Sequence, residues 1–348
     1  MCNFAARNVP GQTGTPYKTV VMREFLRRWT LAVSMAAGVA SYFIMSSLPL
    51  GGGTRDFLLH GVSIVQPVLI FVILFLTFCR VHPSQLQLCR WQIWDLALQA
   101  GMFSLLCVLL VAFPHTSFRL IIESALLCFI CPTATAAVVV TSKLGGRAGT
   151  TTAYTLLANL CVALLVPLFV PLAHPQSGMG FARSFAVILG KVFPLLLGPL
   201  IAAEGLRKVS PRLTEWLASH RDLPFHLWAV ALALALAVTM RSLVKSHVSL
   251  AVAGGIALVS LLSCVVQFAA GRWAGRRYGD PVSGAQSCGQ KNTVFAIWMG
   301  YTFLTPVTAL AGGFYSIWHN AYNSWQLAQM RKRQANTSSS CPVERGAK

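Results

Sequence analysis

The chain has 348 residues, of which 55% are hydrophobic and 11% are charged, and its mean hydropathy of +0.63 is far above that of a soluble domain. These values exclude an ordinary soluble protein and indicate an integral membrane protein. The net charge of +19 does not indicate nucleic-acid binding, because the basic residues lie between apolar runs and form no recognition module.

The apolar runs predict about ten transmembrane helices. A helix needs about 20 apolar residues to cross the hydrocarbon core, where only helices or closed barrels satisfy their backbone groups. No alternating pattern typical of a barrel is present, so an all-α membrane protein is predicted. Its spans cover about 29–50, 57–79, 93–113, 118–143, 150–172, 184–205, 224–240, 247–270, 282–304 and 307–329.

The basic residues predict that both termini are cytoplasmic. With the N-terminus inside, inner segments hold 21 of the 28 Lys and Arg and outer segments hold five, which agrees with the excess of positive charge normally found on the cytoplasmic side. The remaining two, Lys191 and Lys291, fall within spans. Residues 1–28 are predicted to be a cytoplasmic arm and residues 330–348 a disordered basic tail, because both are polar.

The cysteines and the known catalytic motifs suggest neither a metal site nor an enzyme. Ten cysteines are scattered, mostly in apolar runs, and imply no disulfide framework. Cys128 and Cys131 form a CxxC without a second ligand pair, which is a poor zinc site. The sequence contains no HExxH, GxSxG or P-loop. We therefore expect no enzymatic activity and no metal or other cofactor.

Two spans are interrupted. In the fourth, Pro132 is followed by small and hydroxyl residues, and the ninth contains Gly284, Gly289 and a polar centre. Pro costs a helix interior about 3 kcal/mol and Gly about 1 kcal/mol, so both spans are predicted to unwind. They hold the same place in two sets of five, 29–172 and 173–329, and an odd number of spans gives the halves opposite topology. This predicts two inverted five-helix repeats whose helices 4 and 9 are broken and cross, as in many secondary transporters.

These motifs resemble a known transporter family. "CPTATAAVVVTSKLGG" in the fourth span and "GQKNTVFAIWMGYTFLTP" in the ninth are similar to the two crossing-helix motifs of the bile acid:sodium symporter family, within the superfamily of bile acid, arsenite and riboflavin transporters. "VFPLLLGPL" and "SIWHN" are similar to two further patterns of this family. The resemblance implies a panel of spans 1, 2, 6 and 7 and a core of spans 3–5 and 8–10, with an organic anion bound between them.

The chain departs from this family at the sodium site. The Ser and Asn that bind sodium in the family's fourth-span motif fall on Ala137 and Val138, which have no side-chain oxygen. In the ninth span, the family's bridging Glu falls on Ser287 and a Gln falls on Lys291. Sodium prefers oxygen ligands, so the resemblance implies a divergent member of bacterial type that is not coupled to sodium.

Polar residues at the predicted crossing are the candidates for the substrate or ion site. The fourth and ninth spans each supply a cluster. The fifth adds residues on or near one helical face, at which Thr151 or Thr152 is followed by Thr155 and Asn159. For the threonines, ordinary helix packing is an equally good interpretation. The candidates are Thr133, Thr135, Thr141, Thr155, Asn159, Ser287, Gln290, Lys291, Asn292 and Thr293.

Lys291 and Glu123 need separate explanations. A Lys at the membrane centre costs about 3 kcal/mol, whereas Lys191 is close enough to the end of its span to reach the interface. One hypothesis is that the ammonium of Lys291 occupies the space of the missing sodium. A second, which does not exclude the first, is that it pairs with an anionic substrate or takes part in proton coupling. Glu123 is either a proton relay or the i+4 partner of Arg119.

We therefore expect a secondary active transporter that carries a small organic anion by alternating access. Transport is expected to be independent of sodium, with a proton gradient as the alternative driving force. The alternatives are an arsenite-type exporter, suggested by Cys131 beside the crossing, and a non-transporting membrane receptor or sensor. The expected partners are the organic anion and the lipid bilayer, without nucleic acid. The expected location is a bacterial inner membrane.

Overall fold

The computed structural model describes residues 33–49, 51–81, 83–175, 178–220, 222–246 and 248–339. Within these ranges the chain forms helices and no β-strand, which confirms the all-α prediction. The predicted arm at 1–28 and the first residues of the first span, 29–32, lie outside the described residues.

Fourteen α-helices are described. They are α1 (Val33–Ser47), α2 (Gly52–Phe78), α3 (Trp91–Ala112), α4 (Arg119–Ile130), α5 (Ala136–Lys143), α6 (Ala148–Ala173), α7 (Phe181–Leu196), α8 (Gly198–Val209), α9 (Pro211–Ser219), α10 (Leu223–Ser246), α11 (Leu250–Arg277), α12 (Pro281–Gly289), α13 (Thr293–Phe303) and α14 (Ala309–Ser339). Short 3₁₀ turns lie at Pro83–Gln85 and Pro306–Thr308.

Several of these helices have the length and composition of membrane spans. In the described part, α2, α3, α6, α10 and α11 are long and apolar enough to cross a membrane, and the pair α7 and α8, bent by 43°, is a sixth. Large apolar side chains such as Val108, Leu164 and Leu262 are exposed along them, a surface that lipid covers better than water. The chain is therefore a multi-pass membrane protein.

The other four predicted spans fall on shorter, interrupted or more polar helices. The first coincides with α1, which is 15 residues long by its bounds, and the tenth with α14. The fourth comprises α4 and α5, and the ninth comprises α12 and α13. The count of ten spans thus stays a prediction, whereas the two interruptions are present.

Three details differ from the sequence prediction. The tail predicted to be disordered from residue 330 continues α14 as far as Ser339, because Arg331, Lys332 and Arg333 favour helix and no Gly or Pro interrupts the run; residues 340–348 lie outside the described part. A short helix, α9, occupies the predicted loop after the sixth span. Gly284 lies inside α12 and not at its break.

The helices pack in two groups. Helices α3, α4, α6, α11, α12 and α14 contact one another, with α5 and α13 attached to them, whereas α2, α7, α8 and α10 form a second set of contacts. Helix α1 joins the second group, since a Cβ on Gly38 would meet Ala233 of α10. Glycines also set the closest approach in the first group, where a Cβ on Gly284 of α12 would collide with the carbonyl oxygen of Gly271 on α11. The groups meet where α6 contacts α7 and where α13 contacts α2 and α10.

Candidate functional site

The two helix breaks pair with each other. Between α4 and α5 the chain is extended around Thr133, and between α12 and α13 it is extended around Lys291; the two residues form an antiparallel β-bridge. The amide of Ala134 donates to the carbonyl of Gln290 at 2.8 Å, and the amide of Asn292 donates to the carbonyl of Pro132 at 2.8 Å. Each break therefore satisfies the backbone groups that the other leaves free, as buried backbone requires.

Side chains reinforce this pairing. The hydroxyl of Thr133 donates to the carbonyl of Ser287 at 2.7 Å, and the thiol of Cys131 lies 2.8 Å from the carbonyl of Asn292. Asn292 also caps α13, because its side-chain oxygen accepts from the amide of Phe295 at 3.2 Å. Thr133 and Asn292, both predicted from sequence as site residues, thus hold the crossing together.

A glutamine and a tyrosine close the end of the helix before each break. At the first break, Gln99 of α3 donates to the carbonyl of Ile130 at 3.1 Å and accepts from the hydroxyl of Tyr154 of α6 at 3.1 Å. At the second, Tyr315 of α14 donates to the carbonyl of Gly289 at 2.8 Å and accepts from Gln267 of α11 at 3.1 Å. These bonds satisfy carbonyls that have no partner in the next turn.

Several predicted site residues carry buried polar atoms without a protein partner among the described residues. They are Ser287 Oγ, Gln290 Oε1, Lys291 Nζ and both side-chain polar atoms of Asn159. The side chains are almost fully enclosed, with 1% exposure for Lys291 and 1% for Asn159. Since buried polar groups are normally hydrogen-bonded, this concentration of unpaired atoms makes the crossing the candidate functional site.

The threonines fit ordinary packing better. Thr155 donates to the carbonyl of Thr151 at 2.9 Å, and Thr151 lies 3.3 Å from the hydroxyl of Thr141. Thr135 precedes α5 without a side-chain capping bond, and Thr293 is buried as the first residue of α13. The hydroxyls of Thr151 and Thr155 therefore bond within their own helix or to a neighbouring threonine.

Glu123 is held by three groups near the start of α4. Arg119 Nε lies 3.0 Å from Glu123 Oε1, and the hydroxyls of Thr305 and Thr308 donate to Oε2 at 2.8 and 3.0 Å. The i+4 pairing offered by the sequence is thus present. A similar group lies at the start of α12, where Asp280 Oδ2 accepts from Thr150 at 2.8 Å and lies 3.4 Å from Arg147 Nε.

The most important residue missed in the sequence is Asp95. It lies in the second turn of α3 with 1% exposure, and its Oδ2 has no hydrogen-bond partner among the described residues. A signal existed, since Gln92, Asp95 and Gln99 follow one another at spacings of three and four and share one helical face. A polar stripe on an apolar span marks a face turned towards protein or water.

A cavity of about 800 Å³ lies where the two helix groups meet. Its walls come from α2, α7, α10 and α13 and are mainly apolar, including Phe71 and Trp298. Lys191 and Gln66 also line it; Gln66 is 3% exposed, and its Nε2 has no protein partner in the described part. Lys191 Nζ lies 5.7 Å from the centre of the Phe303 ring. Lys291 is not among the described residues that line the cavity.

The cysteines near the crossing have separate partners. Cys128 Sγ lies 3.8 Å from Ser260 Oγ, while Cys131 contacts the second break. Among the described residues, no group of three or more His, Cys, Asp or Glu side chains is arranged to hold a metal ion.

Comparison of the chain with models of known protein families and with curated proteins finds no match. The interpretation of the site therefore rests on its own residues.

Proposed function

We propose that this chain is a secondary transporter that carries a small organic anion across the membrane by alternating access without sodium coupling. The observation that carries the proposal is the backbone pairing of two broken helices at Thr133 and Lys291. Irregular backbone at membrane depth is tolerated where protein or a cavity satisfies it, and crossing half-helices are the usual binding element of transporters with inverted repeats. The resemblance of both motifs to the bile acid:sodium symporter family supports the same function.

The proposal includes ten spans in two inverted five-helix repeats, 29–172 and 173–329. An exchange of the halves preserves the packing: α4 contacts α11 and α14, and α12 contacts α3 and α6, which occupy the corresponding places. The glutamine of the third span and the tyrosine of the fifth, at the first break, correspond to the glutamine of the eighth span and the tyrosine of the tenth, at the second break. The two buried carboxylates also correspond to each other, since Glu123 accepts from threonines at the start of the last span and Asp280 from a threonine at the start of the fifth.

In this proposal the two packing groups are the moving parts. Helices α1, α2, α7, α8 and α10 are the panel, and the remaining span helices are the core. Panel and core contact each other where α6 packs against α7, where α2 meets α13, and where α10 meets α13 and α14, and the 800 Å³ cavity lies between them along α13. A shift of the core against the panel would open this cavity to one side of the membrane and then to the other.

The cavity is the proposed substrate site. Its volume is within the range of sites that enclose small organic ligands, and its apolar walls suit a hydrophobic body. Lys191 supplies the positive charge and the free Nε2 of Gln66 a hydrogen bond, both of which suit a carboxylate or sulfonate group. An organic anion with an apolar body is the ligand class that fits these walls.

Lys291 has a different role in this proposal, because it is buried outside the cavity lining. Its ammonium serves as a built-in cation at the crossing, and Ala137 and Val138 offer no side-chain oxygen to a sodium ion. This supports transport without sodium, with a proton gradient as the alternative driving force. The distribution of Lys and Arg supports an inner-membrane orientation with both termini inside the cell, and the bacterial location follows from the resemblance.

Ligand-dependent thermal stabilisation of the purified protein tests the site first. A ligand that binds the folded protein raises its apparent melting temperature as its concentration increases. We expect stabilisation by monoanions of a graded series of aliphatic and aromatic carboxylates and sulfonates, and none by the matching alcohols. Lys191→Gln should abolish it, Lys191→Arg should retain part of it, and Lys143→Gln, at an exposed lysine outside the cavity, should leave it unchanged.

Uptake of a stabilising anion into proteoliposomes tests the mechanism. We expect equal uptake in sodium and choline media and more uptake than into empty liposomes. A strict requirement for sodium would overturn sodium independence, while uptake that follows an imposed proton gradient would establish proton coupling. Failure of every organic anion to stabilise the protein would overturn the substrate class.

A further inference from the structure

Lys291 and Asp95 are a buried base and a buried acid on neighbouring elements of the core. Each side chain is 1% exposed, and neither Lys291 Nζ nor Asp95 Oδ2 forms a hydrogen bond to another described group. The two groups lie within electrostatic range of each other, although no described carboxylate lies within the 4.0 Å ion-pair distance of Lys291. Lys291 comes from the break between α12 and α13, and Asp95 from α3, which packs on α12.

In the described part of the chain, no other charged group competes for either partner. Among the described residues, the titratable groups close to Lys291 are four thiols besides Asp95, and those close to Asp95 are Lys291, one thiol and one phenol. They are Cys128 and Cys131 at the end of α4, Cys161 of α6, Cys288 of α12 and Tyr154 of α6. Thiols and phenols buried in protein are neutral hydrophobes or weak donors.

We propose that Asp95 is the counter-charge of Lys291, so that the crossing contains its own neutralised cation. An isolated buried charge is strongly unfavourable, whereas two opposite charges in one enclosed site offset part of that cost. Asp95 also lies one turn from Gln99, which binds the end of α4, so the same face of α3 closes the first break and faces the cation of the second. The pair links α3 of the first half to the α12–α13 break of the second half.

The pair also explains why a crossing with a lysine would work without a bound metal ion, and this consequence alone rests on the proposed transport function. The pairing itself is independent of transport. It is therefore tested by stability, while sodium dependence of uptake tests the transport proposal, and either can fail without the other.

A double-mutant cycle on the full-length protein in detergent tests the pair. Lys291→Gln and Asp95→Asn should each lower the apparent melting temperature, because each leaves one buried charge without its partner. The double variant should melt at a higher temperature than the sum of the two single losses predicts. Asp95→Asn combined with Lys191→Gln is the control, and its losses should add.

The conservative variants give a second readout. Asp95→Glu and Lys291→Arg keep the charges and should melt closer to wild type than the neutral variants. If a single variant yields no folded protein, recovery of a monodisperse double variant supports the pairing. A Lys291–Asp95 double variant whose loss of melting temperature equals the sum of the two single losses would overturn the pairing.

Discussion

Replacement of Glu123 distinguishes a proton relay from a structural tie. The carboxylate is 0% exposed and accepts from two threonine hydroxyls while it pairs with Arg119, whose side chain is 28% exposed. Glu123→Gln keeps an oxygen for the hydroxyls and loses the charge. Because Arg119 can turn to water and also donates to the carbonyls of Pro114 and Ala173, we expect a loss of about 1–3 kcal/mol in stability.

Glu123→Ala removes all three contacts and leaves the buried hydroxyl of Thr308, the half-buried hydroxyl of Thr305 and a cavity, so its loss should be about 3–5 kcal/mol. Glu204→Gln is the control, because Glu204 is more exposed and its partner Arg207 also donates to two backbone carbonyls; a change below about 1 kcal/mol is expected. Thermal unfolding in detergent should show the largest loss for Glu123→Ala, an intermediate loss for Glu123→Gln and the smallest loss for Glu204→Gln.

The same variants report on transport. If Glu123 is a tie between α4 and the start of α14, Glu123→Gln should retain anion uptake with an unchanged dependence on pH. A Glu123→Gln protein that is as stable as wild type but has lost its response to a proton gradient would refute the structural interpretation and establish a relay.

Three further changes test the packing and the polar atoms of the core. Gly284→Ala should prevent normal assembly, because its Cβ would collide with the carbonyl of Gly271, whereas Gly254→Ala, with open space, should be tolerated; the yield of monodisperse protein measures both. Tyr315→Phe should lower stability by about 1–3 kcal/mol in thermal unfolding, since it leaves the buried carbonyl of Gly289 unpaired, although Gln267 keeps its bonds to two backbone carbonyls. Asn159→Leu should leave the melting temperature equal or higher, because neither of its polar atoms is satisfied, and should reduce uptake if that amide serves transport.

The helices and their interruptions could be predicted from sequence because they depend on local chemistry. Twenty apolar residues define a span, and Pro132 or a run of polar residues defines a break, wherever the rest of the chain lies. The crossing residues Thr133, Ser287 and Lys291 followed from the same breaks, since polar groups gather where backbone must be satisfied.

Other features depend on which helices become neighbours. Asp95 looks like an end-of-span residue until α3 is seen to pack on α12, and the importance of Lys191 emerges only when α7 and α13 enclose a cavity. The extension of α14 to Ser339 does not follow from polarity, because polar residues such as Arg331 continue a helix readily when it is anchored by an apolar segment. Spacing on a helical face, as in Gln92, Asp95 and Gln99, is the signal that comes closest to tertiary information.

The proposed repeat also accounts for the presence of a lysine in only one half. In an antiparallel bridge the two facing residues are equivalent under a two-fold rotation, so the counterpart of Lys291 is Thr133. The Cα atoms of such a pair lie about 5 Å apart, and two ammonium groups that came equally close in this enclosed site would repel each other by about 3 kcal/mol at an effective dielectric constant of about 20. A second lysine would also leave Asp95 with two cations to neutralise. With the axis between the two breaks, a single cation serves both halves, and Thr133 instead gives its hydroxyl to the carbonyl of Ser287.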